Sequence, residues 1–205
     1  MKVCFPTAYF GNIPYFSKLV HFDQVYIEQY EHFVKQTLRT RCELTGSQGV
    51  FRLSVPVSRP FGNKTPMHAV SCLRDGWQKQ HEKALYAAYG SSAFYEYYQP
   101  DVQRLINSTD NLIEMNTDIT RFLLNEWGFN TQLLLTDSYH HNFDLDLRGD
   151  EFLPDQQEPV YTQVLFSSDQ IHYAGLSVLD LLFCEGPMGR KVLEKNSQIF
   201  NPITQ

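Results

Sequence analysis

Lys2-Val3-Cys4-Phe5-Pro6-Thr7-Ala8-Tyr9-Phe10-Gly11-Asn12-Ile13-Pro14-Tyr15-Phe16 is the stretch whose reading decides the fold. Lys2 to Phe5 reads as a short strand that Pro6 stops, because proline supplies no N–H to a sheet ladder. Thr7 to Ile13, with Gly11-Asn12, reads as a loop. Pro14 then suits the first turn of a helix carrying Tyr15, Phe16, Leu19 and Val20 on one side. Gln24 to Tyr30 alternates as a second strand should. Strand, loop, helix and strand in this order predict an α/β fold.

Further along, Arg41 to Thr45 and Val50 to Val57 flank Gly46-Ser47-Gln48-Gly49 and predict a hairpin. Pro56, Pro60 and Pro66 mark a long loop bearing Arg59 and Lys64, and His68 to Leu73 reads as another strand. Gly76 to Tyr89 has helical spacing. So does Asp101 to Trp127, with a break at Asn107-Ser108-Thr109-Asp110 where Ser108 or Thr109 would cap a second helix. Gln132 to Leu135 reads as a strand. Thr136 to about Tyr161 reads as a long ordered loop or flap. Ser177 to Cys184 reads as a buried helix ended by Gly186-Pro187. The expectation is one domain over 1–205. Its mixed sheet comes mainly from the N-terminal half, with helices of the second half packed on it.

Composition narrows the function classes. A net charge of −6 over 205 residues lacks the basic footprint of nucleic-acid binding and offers no basic face to anionic lipid. The longest strongly apolar stretch, Leu176 to Cys184, is too short to span a bilayer and contains Asp180. The N-terminus has no signal-peptide core, and a cytoplasmic location is the default expectation. Cys4, Cys42, Cys72 and Cys184 are scattered with no C-x-x-C pair, so they read as reduced thiols without a metal or redox site. Nothing around Cys72 activates it as a nucleophile. No G-x-G-x-x-G or Walker loop follows the first strand, and no cofactor is expected.

Several residues carry candidate chemistry, each with a structural alternative. If Val34 to Arg41 is extended, Lys35, Arg39 and Arg41 share a face that suits a phosphate or carboxylate; alternatively they protect a solvated strand edge. His32 and His81 are candidate general bases; alternatively His81 is a helix histidine beside Trp77, one turn earlier. Asp180 is expected to be at least partly buried, either orienting a histidine or arginine or tying the backbone or Arg41. Ser177 lies on the same helix face or caps the helix. Tyr9, Tyr15 and Trp77 either stack on a planar or sugar-like ligand or fill the core. Tyr139-His140-His141-Asn142-Phe143-Asp144-Leu145-Asp146 matches no compact metal spacing and reads as a solvated loop. Arg148-Gly149-Asp150 reads as a chance tripeptide. The aromatic stretch from Tyr86 to Tyr98 is a candidate exposed patch.

Four stretches together resemble the short form of the WbqC-like family. They are Pro6 to Phe16 quoted above, Glu31-His32-Phe33-Val34-Lys35-Gln36-Thr37-Leu38-Arg39-Thr40-Arg41-Cys42, Leu53-Ser54-Val55-Pro56-Val57 followed by Trp77-Gln78-Lys79-Gln80-His81, and Leu176-Ser177-Val178-Leu179-Asp180-Leu181-Leu182-Phe183-Cys184-Glu185-Gly186-Pro187. The family has Asn where this chain has Thr40 and Asn where it has Cys184; threonine keeps one polar contact of the amide and cysteine almost none. The resemblance implies a role in O-antigen and related surface-polysaccharide synthesis. The implied reaction transfers an acyl or aminoacyl group, such as glycine, onto a nucleotide-linked amino sugar. The implied partner is a small-molecule or carrier-linked substrate, with the oligomeric state left open. A non-catalytic accessory protein for glycan assembly and a protein-interaction module are the alternatives.

Overall fold

The computed structural model describes residues 1–153, 161, 163 and 175–197. Four strands form a parallel sheet: β1 (Val3–Phe5), β2 (Gln24–Ile27), β7 (Gln132–Leu135) and β8 (Leu145–Asp146), in the order β7-β2-β1-β8. The sequence is α/β as read from its first stretch. Helix α1 (Ile13–Leu19) follows β1, and β2 then returns parallel beside β1 with Cys4 opposite Tyr26. The Asn12 side chain caps α1 by accepting from the Tyr15 N–H at 2.9 Å, and Pro14 sits in the first turn.

Among the described residues, antiparallel strands form two small separate sheets, with isolated antiparallel bridges at Asn12–Ser177, His32–Pro66 and Ser71–Asn111. β3 (Arg41–Gly46) and β4 (Gly49–Ser54) form the expected hairpin, and β5 (Val57–Ser58) pairs with β6 (Ser71–Cys72). The expected strand from His68 is therefore shorter, because Met67–Ala69 is a 3-10 turn. The second half supplies α2 (Trp77–Tyr89), α3 (Tyr95–Ile106), α4 (Leu112–Glu126), α5 (Val178–Glu185) and α6 (Gly189–Ser197).

Several further features differ from the sequence reading. α3 begins before Asp101 and runs through Pro100, since Tyr95, Tyr98 and Val102 bury their side chains in the core. α4 is capped by Asn111, whose carbonyl oxygen accepts from the Ile113 and Glu114 N–H groups, and not by Ser108 or Thr109. The long loop after β7 contains β8, which pairs with β1. α6 lies beyond the Gly186-Pro187 stop. Gly186 has φ +53, and a Cβ there would sit 2.6 Å from the Phe94 ring, so glycine is required.

Among the described residues, no helix is long and apolar enough to cross a membrane. The core beneath the sheet is aromatic: Tyr15 and Phe152 lie edge to face at 5.0 Å, and both pack on Phe5.

Candidate functional site

The strand order locates the site. From β1 the chain steps to β2 on one side, and only much later places β8 on the other. Open parallel sheets bind ligands outside the carboxyl ends of strands at such a reversal. Pro6 follows β1 and Arg148 closely follows β8, and both line an open cleft of about 740 Å³. Its other walls are the turn from Gln36 to Leu38, the start of β3 and the Gly149–Leu153 segment.

Arg39 organises the cleft rather than projecting freely into it. Residues 35–40 form turns, so the extended face expected for Lys35, Arg39 and Arg41 does not exist. Gln36 turns the chain with φ +62. Arg39, 3% exposed, donates two hydrogen bonds to Glu31 at 2.8 and 2.9 Å. Burial pushes the Glu31 carboxyl above its ordinary value, and Arg39 opposes that shift. The same guanidinium donates to the Arg148 carbonyl at 3.2 Å, which fixes the opposite wall.

Arg148 is clasped by Asp146 at 2.5 to 3.0 Å and stacks over the rings of Tyr139 and Phe143. Its buried Nη1 has no hydrogen-bond partner and lies 3.9 Å from fully buried Glu28. Beyond it, Asp150 pairs with Lys18 and accepts from the Phe152 N–H at 2.7 Å. Asn12 donates to the Phe152 carbonyl at 2.9 Å, tying the first loop to this segment.

Arg41 stands apart. It lines the cleft, half-buried, and makes no ion pair or side-chain hydrogen bond. Glu43 is taken by Arg52, while Glu151 is exposed and unpaired. Backbone strain gathers here too. Among the described residues, the three non-glycine residues with positive φ are Phe10, Gln36 and Phe152; two line the cleft and the third precedes Gly11-Asn12. Strained backbone of this kind persists only where surrounding contacts impose it, and it clusters at functional sites.

The other candidates lie elsewhere. Tyr9, Trp77 and His81 form a buried group: the Tyr9 hydroxyl meets His81 Nδ1 at 2.9 Å, and the Trp77 indole N–H donates to the Leu73 carbonyl. Burial lowers His81 to about 4, against a hydrogen bond to the Ser54 backbone. Tyr15 is fully buried, and its hydroxyl donates to the Pro6 carbonyl at 2.8 Å, bracing the cleft from behind.

Asp180 accepts from Tyr89 at 2.7 Å, Thr45 at 3.2 Å and Tyr161 at 2.6 Å; burial raises its pKa despite these donors. Ser177 caps α5 and donates to the Phe10 carbonyl, bringing the start of that helix to the cleft wall. The first N–H groups of α5 bond to Gly11 and Ser177, so they are not open to an anion. His32 and Lys35 are exposed and do not line the cleft. Thr40 is buried, with its carbonyl accepting from the Val55 N–H, and Cys184 is half-buried. Burial pushes the Cys72 thiol up to about 12. Of the aromatic stretch, Tyr86 and Tyr97 are exposed while Tyr89, Tyr95 and Tyr98 are buried. Among the described residues no three groups could hold a metal ion together.

From the sequence, Arg148 and Asp150 read only as parts of a chance tripeptide, Asn12 only as a loop residue, and Phe152 carries no signal. One signal was available: Phe143, Leu145 and Leu147 alternate with Asp144 and Asp146 immediately before Arg148, which is a strand pattern.

No curated protein matches this chain, and no solved structure does. The profile of the WbqC-like protein family matches residues 7–150, most of the chain. The match takes in the first loop, the Glu31–Arg39 pair, Arg41 and Arg148, and stops short of the Leu176–Pro187 motif. The chain belongs to the WbqC-like protein family.

Proposed function

We propose that the cleft binds a nucleotide-linked amino sugar and that the protein transfers an acyl or aminoacyl group, such as glycine, onto its amine during surface-polysaccharide synthesis. Arg41 carries this reading. A half-buried guanidinium without a partner, on a cleft at the sheet's switch point, suits the diphosphate of such an acceptor. The cleft volume falls in the range of small-molecule sites. In the reaction, the sugar nitrogen attacks the carbonyl carbon of an acyl thioester. The C–N bond forms, the C–S bond breaks, the thiolate leaves, and the amine gives up a proton. Of the cleft carboxylates Glu43, Asp150 and Glu151, the first two are ion-paired, so Glu151 is the group free to take that proton.

A second reading is a non-catalytic binding protein for glycan assembly. It is favoured by one observation: none of His32, His81 and Asp180 lines the cleft. Turnover separates the two. Thermal unfolding against nucleotide-activated amino sugars tests the binding they share. Ligand at about 100 times its dissociation constant adds roughly 2.7 kcal/mol to the wild type. Arg41→Ala should lose that shift. A shift retained in Arg41→Ala removes the proposed site.

A further inference from the structure

The chain is acidic overall, yet one surface beside the cleft is basic. Two stretches, 29–37 and 56–69, are joined by backbone hydrogen bonds: Phe33 N–H to the Thr65 carbonyl at 2.8 Å, Met67 N–H to Glu31 and His68 N–H to Gln29, both at 2.9 Å. Their only acid is Glu31, buried and consumed by Arg39. They present Lys35, Arg59 and Lys64, none of them ion-paired, together with exposed His32 and His68. Asp137, at the adjoining strand end, is held by His140. Arg59 lies over the Phe33 ring at 5.6 Å, and the residue after Phe33, Val34, lines the cleft.

At the crest of this surface stands Phe61, 67% exposed, between Arg59 and Lys64. Its loop is held rigid. Thr65, fully buried, accepts from the Phe61 N–H and donates to the Gly62 carbonyl, both at 2.9 Å. Arg59 reaches Asn63 across the loop, and Gly62 supplies the positive φ of +59 that the turn needs. An exposed aromatic ring on a preorganised loop that also carries cations is a built anchor: it loses little freedom on binding, and the charges steer an acidic partner.

We propose that this knuckle, Arg59 to Lys64 with Lys35, docks an acidic acyl-carrier protein that presents its thioester to the adjoining cleft. The partner's identity rests on the transfer reading above. A protein fits better than a bilayer. Membrane recruitment uses about 4–8 clustered cations, the knuckle has three, and the chain's net charge of −6 would oppose an anionic surface.

The test measures binding of a glycyl-loaded acyl-carrier protein by fluorescence anisotropy, at low and high salt. The wild type should bind and weaken with salt. Phe61→Ser alone, and Lys35→Glu with Lys64→Glu, should each weaken binding about tenfold or more. All these residues are exposed or half-exposed, and unchanged melting of the variants verifies their fold. Equal affinity across the variants, or no binding by the wild type, overturns the proposal. Capture instead by phosphatidylserine vesicles, lost in the same variants, overturns it in favour of a membrane. Docking and cleft fail separately. Carrier binding without a nucleotide-sugar melting shift sinks the cleft reading alone, and the shift without carrier binding sinks the docking alone.

Discussion

Arg41 and Asp180 are both charged residues in otherwise packed surroundings, and they differ in what surrounds the charge. Asp180 is fully buried, and three hydroxyl groups saturate its carboxyl. Arg41 is half-buried at the cleft, with no partner, among strained turns. A buried charge whose bonding capacity is filled by the protein has nothing left for a ligand; a charge left unfilled at a cleft has. The same distinction separates His81, buried and engaged by the Tyr9 hydroxyl, from a base that could act on substrate.

The comparison can be broken most forcefully at Asp180. Asp180→Ala strands two tyrosine hydroxyls and one threonine hydroxyl in the core and should cost about 4 kcal/mol, read by denaturant unfolding. A loss below about 1 kcal/mol would mean the network is not structural.

His81 gives the next effect. Its folded pKa is depressed from 6.5 to about 4, so below 6.5 the unfolded chain takes up the proton first. Stability therefore falls as pH drops from 6.5 toward 4 and is not lowered further by this group below that. The window is worth on the order of 3 kcal/mol. Glu31 and Asp180, both raised, titrate with the opposite sign, so the readout is the difference between wild type and His81→Asn across that window. Parallel curves would show that burial does not depress the His81 pKa.

Smaller still is Gln36→Gly. Glycine accepts φ +62 without the Cβ clash, and thermal unfolding should show a gain of about 0.5 kcal/mol. If the turn's shape serves ligand binding, the looser variant should bind nucleotide sugar less well despite its gain. Smallest in stability is Arg41→Ala, expected within about 0.5 kcal/mol of the wild type, because it breaks no bond. Loss of the ligand shift in a variant that melts normally is the sharpest form of the contrast with Asp180.

The local signals were legible where one chemical rule acts alone. Pro6 and Pro14 bracket the first loop, the Gly46–Gly49 turn closes its hairpin, and Ser177 caps the helix that the Leu176–Phe183 run predicts. They failed where a distant partner outvoted local preference. β8 reads as loop despite the alternation from Phe143 to Leu147, because two residues become a strand only when β1 lies beside them. α3 overrides Pro100 because Tyr95 and Tyr98 are buried against α5 and α4. Arg148 was passed over inside Arg-Gly-Asp because its neighbours in space, Glu28, Arg39 and Tyr139, come from three separate parts of the chain.

By itself the sequence determined the α/β class, the order of most elements, family membership and the basic segment ending at Arg41, since each follows from short-range pattern or motif. Only the tertiary structure decided which charges are spent and which is open. Arg39 and Arg41 are two residues apart, and what separates their roles is a carboxylate that reaches one of them and not the other.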